Sequence, residues 1–495
     1  MIIQYIKNRL AIITVLLIIV TVGSIQSLTV LGGDQSLFVV IAQLLDSGKT
    51  LYKDLFDYKQ PGIYLFYLIA GKTLGWSDIG IHLFELGYWV LFSLILFSLM
   101  RRYSLFRADY FNSLLPLFIV GVYYCNASTL HLTQLEALIG FPLFLIVWLL
   151  DKAYKTENGL FNTYLAIGIL IGIVLLCKLI FSPIIFCFLL IHFIFIFRNN
   201  GLLYIITKTV FPLIVGFAIP ISIFLFYIFT HRIENLVLDI YFKIPASVIG
   251  LEDQIDLNRL ISSIKWFGKK MLVFLLLAVI GVFLIPKKES HFLSLIMSWG
   301  IVGFLVILMQ KTSWWPYHFQ LLYVPIGLFS AMGLDFILYH ILLKIKPGTQ
   351  ILKGCMIVTM LSLVFYSQFN TLWRGIASKN YTKLYSYDYA KDDVANLLKV
   401  LKAEDTMFVC GNPRMYLLAS RLPELSINGW ILEYYLDYQW EEFYDEFKNK
   451  SPTYLFVKND YDELIESKNK KLWELIINGY SEYDSVENGK WYKKI

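Results

Sequence analysis

The chain reads as a polytopic α-helical membrane protein of about eleven transmembrane helices, followed by a small C-terminal α/β soluble domain. Composition makes the first observation: of 495 residues, 57% are hydrophobic and only 16% charged. A water-soluble protein of this size has no interior large enough to hide so much apolar surface. Charge distribution makes the second. Residues 1–370 hold 26 Lys/Arg and 17 Asp/Glu, a net of +9, whereas residues 371–495 hold 17 and 20, a net of −3. The contrast separates a membrane module, 1–370, from a water-soluble tail, 371–495. The overall +6 is therefore no sign of nucleic-acid binding.

Apolar runs of spanning length fall near 10–31, 79–100, 112–127, 135–150, 163–179, 181–197, 207–230, 270–285, 291–309, 318–338 and 351–369. Several are only about 16 residues and must borrow flanking residues to cross roughly 30 Å of hydrocarbon. The division between the fifth and sixth rests on Lys178 and Pro183. The first run, Leu10–Leu31, lacks a small-residue cleavage site with a polar flank, so it reads as a retained helix rather than a signal peptide. With the N-terminus in the cytoplasm, short inner loops carry Lys7/Arg9, Arg101/Arg102/Arg107, Lys152/Lys155, Arg198, Lys287/Lys288 and Lys344/Lys346/Lys353. Basic residues on the outer side sit mostly in two long stretches, 32–78 and 231–269, with acidic residues among them. Positive density in short loops favours this orientation, and an odd number of spans then puts the tail outside.

The stretch 32–78 is amphipathic and aromatic, with no run long enough to span. It is expected to lie in the outer interface, anchored by Tyr52, Tyr58, Tyr64, Tyr67 and Trp76. In the tail, Asp392–Lys402 has helical spacing and Thr406–Cys410 reads as a strand. Pro413–Ala419 suggests a helix after a turn at Gly411–Asn412, and Pro452–Lys458 is a second strand. Of the five cysteines only Cys410 lies in the tail, and no CxxC or Cys/His cluster suggests structural zinc.

Two residues of the 32–78 segment could carry chemistry. Asp34 follows Gly32-Gly33 directly after the first run, and Lys59 lies in Leu51-Tyr52-Lys53-Asp54-Leu55-Phe56-Asp57-Tyr58-Lys59-Gln60-Pro61-Gly62. Each has a plain structural reading: an Asp after two glycines caps helices, and a Lys at an interface snorkels toward headgroups. Each also has a chemical one. Glycosyl transfer from a polyprenyl phosphate needs a carboxylate to take the acceptor's proton and a cation to stabilise the departing phosphate. Lys178, at the edge of an apolar run, is either a snorkelling helix end or a second phosphate contact. His318, after Trp314-Trp315-Pro316-Tyr317, is either an interfacial anchor or part of the same site.

The order of first helix, acidic residue, LYKDLFDYKQPG and a helix ending in Arg101-Arg102 resembles the GT-C superfamily of integral-membrane glycosyltransferases. The likeness is strongest to the branch holding protein O-mannosyltransferases and the lipid A aminoarabinose transferase. Gln134-Leu135-Glu136, Gly168–Lys178, Tyr317–Pro325 and, in the tail, DTMFVCGNPRMYLLASRLP resemble stretches of that family in matching order. The chain departs from it at Gln60-Pro61, where relatives often have two prolines, and at Asp34-Gln35, where some have two acidic residues.

The resemblance implies an integral protein of a bacterial inner or plasma membrane, with its tail extracytoplasmic. It implies Asp34 as catalytic base, and Lys59, with Lys178 and His318, on the donor phosphate. Glu136 would sit in the outer cavity near the donor sugar or acceptor, with Asp57, Arg232 and Tyr317 as further cavity residues. The implied partners are a polyprenyl-phosphate-linked sugar and an extracytoplasmic acceptor, which is a protein, a lipid or a glycan. The implied reaction is a single inverting displacement. No cofactor and no obligatory metal are expected, because a lipid-phosphate donor leaves as a monophosphate that protein cations can stabilise. No P-loop or Gly-rich nucleotide fingerprint is present. The alternative is a polytopic transporter or lipid flippase of envelope polysaccharide biosynthesis, but the two matching halves with interrupted helices common in transporters are not evident.

Overall fold

Every apolar run of the sequence folds as helix. The computed structural model describes residues 2–127, 131–156, 159–197, 201–250, 257–310, 314–344, 350–377 and 389–495. Among the described residues, eight helices are long and apolar enough to cross a membrane: Asp78–Met100, Leu135–Lys155, Leu160–Cys177, Leu179–Phe197, Leu202–His231, Lys287–Met309, Pro316–Leu343 and Ile351–Arg374. They account for eight of the runs seen in the sequence. Two others are the shorter apolar helices Leu10–Gln26 and Phe111–Asn126. Most of the last, 270–285, lies in the second half of Leu257–Val282, whose first half carries Arg259, Lys265 and Lys269. The break between the fifth and sixth runs falls at Lys178, which is extended (φ −163°, ψ 117°) between Cys177 and the helical turn Leu179–Phe181.

The chain divides into two compact units. One comprises Met1–Thr29, His82–Phe224 and Gln254–Tyr385. Its helices meet where side chains are absent. A Cβ on Gly168 would fall 2.1 Å from the Leu213 carbonyl oxygen, and one on Gly216 2.1 Å from that of Leu165. Helices Leu160–Cys177 and Phe211–His231 thus touch backbone to backbone, as small-residue contacts allow where lipid removes the hydrophobic drive between helices. Gly281 and Gly333 do the same for Leu257–Val282 and Tyr323–Leu343. One buried polar chain runs Tyr164 to His192 (2.8 Å), His192 to His291 (3.2 Å) and His291 to Asp151 (3.0 Å), and Lys155 closes it on Asp151 and Glu289. Each member has a partner, as ionisable groups in an apolar interior require.

The other unit comprises Val30–Ile81, Leu225–Asp253 and Ser386–Ile495. Its tail stretch carries a four-stranded sheet of β1 (Met407–Cys410), β2 (Tyr454–Lys458), β3 (Tyr480–Val486) and β4 (Gly489–Lys494) in the order β1-β2-β4-β3. β1 and β2 pair in parallel, Met407 opposite Tyr454 and Cys410 opposite Val457, whereas β4 is antiparallel to both neighbours. The two strands and two helices expected between 392 and 458 are present, the helices as Tyr389–Leu398 and Arg414–Ala419. The hairpin β3–β4 is an addition. Its charged sequence hides the pattern, but Trp491 is buried and donates to the Asp393 carbonyl at 2.7 Å. Gly489 is required, since a Cβ there would meet the Val457 carbonyl oxygen at 2.4 Å.

Residues 30–81 contribute helices Gly33–Asp46 and Gly62–Leu74, joined through Phe38, whose ring lies edge-on to Tyr64 (5.9 Å) and Tyr67 (5.3 Å). The second is only 13 residues, about 20 Å, too short to span. Both are bound into the same unit as the tail. The buried Arg414 forks onto Asp78 at 2.7 and 3.0 Å, Asp78 also accepts the Leu31 N–H (3.0 Å), and the Phe56 N–H donates to the Ser426 carbonyl (2.8 Å).

Candidate functional site

Asp34 occupies the first turn of helix Gly33–Asp46, and Gly32 is the N-cap. The capping hydrogen bond is made by Gln35, whose side-chain oxygen accepts the Gly32 N–H. Asp34 lies two residues past the N-cap, so its carboxylate is not the helix cap. Its Oδ1 accepts the Trp430 indole N–H at 2.9 Å, and its Oδ2 lies 3.9 Å from Lys59 Nζ. Both side chains are about one-quarter exposed (27% and 24%), but the Lys59 ammonium nitrogen itself is buried. The helix N-terminus adds a partial positive charge beneath the carboxylate.

Lys59 is held from several sides. Its ammonium lies 4.9 Å from the ring centres of both Phe38 and Tyr58, within cation–π range. Its carbonyl accepts the Tyr52 hydroxyl at 2.8 Å, and Tyr52 itself is buried in the left-handed region (φ 70°). Asp57 is fully buried beneath this segment and accepts the Tyr64 hydroxyl (2.5 Å) and the Tyr58 N–H (2.8 Å). Burial raises its carboxyl above the ordinary carboxylate value, with Lys59 and the two hydrogen bonds opposing. Asp57 thus braces the loop that presents Lys59. Tyr434 packs edge-on to Tyr58 at 5.4 Å. Arg232 is exposed at a left-handed residue (φ 54°) that ends helix Phe211–His231, and no described contact ties it to Asp34 or Lys59.

A second cluster belongs to the other unit. Glu136 is buried in the short helix Leu135–Leu138, and its Oε1 lies 2.6 Å from Lys178 Nζ and 3.7 Å from His318 Nε2. Lys178 also donates to Gln310 Oε1 at 3.0 Å. Tyr317 stands edge-on to His318, 4.6 Å between rings. Glu136, Lys178 and His318, separated in the sequence by up to 182 positions, thus converge, and the Glu136 charge answers that of Lys178. Among the described residues, no group of three or more His, Cys, Asp or Glu side chains is placed to hold a metal ion.

Trp430 and Gln310 were not singled out in the sequence. Trp430 sits in Asn428-Gly429-Trp430, which reads as an ordinary turn. Its one local signal is Gly429, where a Cβ would meet the Val409 carbonyl oxygen at 2.0 Å.

A buried cation–carboxylate cluster in a helical membrane module, and an aromatic-lined Asp–Lys pair in the unit that carries the tail sheet, can be compared with known folds. The chain is similar to ArnT. It superposes on ArnT from Cupriavidus metallidurans bound to undecaprenyl phosphate with a TM-score of 0.62, at 12% identity, covering 98% of each chain. ArnT in the apo state gives 0.65, at 11% identity and the same coverage. The archaeal oligosaccharyltransferase AglB from Archaeoglobus fulgidus, in complex with an inhibitory peptide and a dolichol-phosphate, gives 0.52 at 12% identity, over 99% of this chain and 74% of its own. The fold that this chain shares with ArnT and AglB is the one that the sequence resemblance implied. At such identity ArnT speaks to the fold and not to individual residues. No protein-family profile matches the chain, and no curated protein matches it in sequence.

Proposed function

We propose that the chain is a membrane glycosyltransferase that moves a sugar from a polyprenyl-phosphate donor to an extracytoplasmic acceptor by inverting displacement. The observation that carries this reading is the Asp34–Lys59 pair: a carboxylate whose Oδ2 lies 3.9 Å from an ammonium in cation–π range of two rings. ArnT and AglB were each obtained with a polyprenyl phosphate, which supports a lipid-linked donor here.

In the proposed reaction the acceptor hydroxyl gives its proton to Asp34 Oδ2 as its oxygen bonds to the anomeric carbon. The bond from that carbon to the phosphate oxygen breaks, and the electron pair leaves with the polyprenyl phosphate. Lys59 neutralises charge on the departing phosphate. Glu136, Lys178 and His318 form a charged cluster of their own within the membrane module. Lys178 acts there together with Glu136, because a 2.6 Å carboxylate already balances its charge. We place the N-terminus in the cytoplasm, eleven spans in the membrane and the tail outside, which puts Asp34 and Lys59 on the extracytoplasmic side.

The test uses purified full-length protein with a radiolabelled polyprenyl-phosphate sugar and, separately, a nucleotide sugar, each in the presence of a chelator. Transfer from the lipid donor alone is expected. Transfer that requires the nucleotide sugar would overturn the proposal.

A further inference from the structure

We infer that Trp430 is a positioning residue for Asp34: its indole N–H fixes one carboxylate oxygen so that the other is presented to the acceptor proton. The inference deepens the proposed function and rests on Asp34 being the base. Three observations carry it. First, the two carboxylate oxygens are inequivalent, because Oδ1 accepts from Trp430 Nε1 at 2.9 Å while Oδ2 is the oxygen toward Lys59. A terminal carboxylate rotates broadly about χ2, and one charge-assisted donor on Oδ1 restricts that rotation.

Second, the helix start is shaped for the indole. A Cβ on Gly33 would lie 2.4 Å from Trp430 Cζ2 and 2.8 Å from Cη2, so the ring rests against the backbone of the first helical residue. A glycine there costs helix stability relative to alanine, and the close approach of the ring supplies its physical reason. Third, the backbone that carries the indole is held in place. The Trp430 backbone N–H donates to Asn428 Oδ1 (3.1 Å), the Asn428 backbone N–H donates to the Tyr435 hydroxyl (2.7 Å), and Gly429 is pressed onto the carbonyl of Val409 in β1. The sheet-bearing tail thereby supplies a fixed donor to a carboxylate 396 positions earlier. Its role in the reaction is to complete the site rather than to form a separate module.

The test compares full-length Trp430→Phe, Gly33→Ala, the double variant and Asp34→Asn for turnover, donor dissociation constant and thermal unfolding. Trp430→Phe keeps the ring and loses the N–H. Gly33→Ala keeps the N–H, displaces the ring and improves helix propensity. A hydrogen bond to a charged group of this kind corresponds to roughly 10- to 100-fold. Each single variant is therefore expected to lose about that much turnover at unchanged donor affinity. Because both remove the same contact, the double variant should lose no more than the worse single one.

Near-normal turnover in Trp430→Phe overturns the inference. So does a parallel fall in donor affinity, or losses that multiply in the double variant. Asp34→Asn separates the two levels of the claim. If it turns over normally, the reading of Asp34 as base falls; if it is inactive while Trp430→Phe is normal, only the positioning role falls.

Discussion

In the Asp34→Asn variant the side-chain amide oxygen can still accept the Trp430 indole N–H, while the NH2 group takes the place of Oδ2 and cannot receive a proton. The structural cost is small. The ion pair with Lys59 spans 3.9 Å between partly exposed groups, which is worth about 0–1 kcal/mol. The charge at the helix N-terminus contributes about 0.3–1 kcal/mol more. Together these stay below about 2 kcal/mol, and Gln35 retains the cap. Loss of a general base costs about 10²–10⁴ in rate, equivalent to about 2.7–5.4 kcal/mol of barrier. Chemistry and stability should therefore separate: turnover collapses, while donor binding and the unfolding transition remain close to those of the parent. Single-turnover transfer from a labelled lipid donor, with donor titration and thermal unfolding on the same preparation, measures all three. A folded Asp34→Asn protein with near-normal turnover would remove Asp34 from the mechanism.

Lys59→Ala should weaken donor binding as well as turnover, since the phosphate is charged before and after the bond breaks; a fall in turnover with unchanged donor affinity would contradict the assignment. Asp57 should make the protein less stable as pH rises. Its folded carboxyl is raised above 3.8 by burial, so the folded state holds the proton more tightly, and stability is lost from the ordinary carboxylate range upward through the raised value. Unfolding followed against pH should show this slope in the parent and not in Asp57→Asn, and identical slopes would refute it. Lys458→Cys, at the exposed end of β2, should react with an impermeant thiol reagent in intact cells whose outer membrane, where present, has been permeabilised. Labelling only after lysis would put the tail in the cytoplasm.

The apolar runs, the break at Lys178 and the first two strands of the tail were legible because each depends on a stretch shorter than about 25 residues. Asp34 and Lys59 could be singled out for a similar reason, since they lie 25 positions apart in one segment whose residue types suit the chemistry. Tertiary structure decided the rest. What Asp34 faces turned on Trp430 and Lys59, which packing brings to its two carboxylate oxygens. Whether Asp57 faces a substrate or holds the loop turned on Tyr64 and the depth of burial. Trp430 could not be found from its own surroundings, because an indole in a turn carries no mark of the carboxylate 396 residues before it. Hydropathy and turn chemistry act along the chain and can be read there. A hydrogen bond between distant segments exists only once packing has brought both to within about 3 Å, and that distance is a property of the fold.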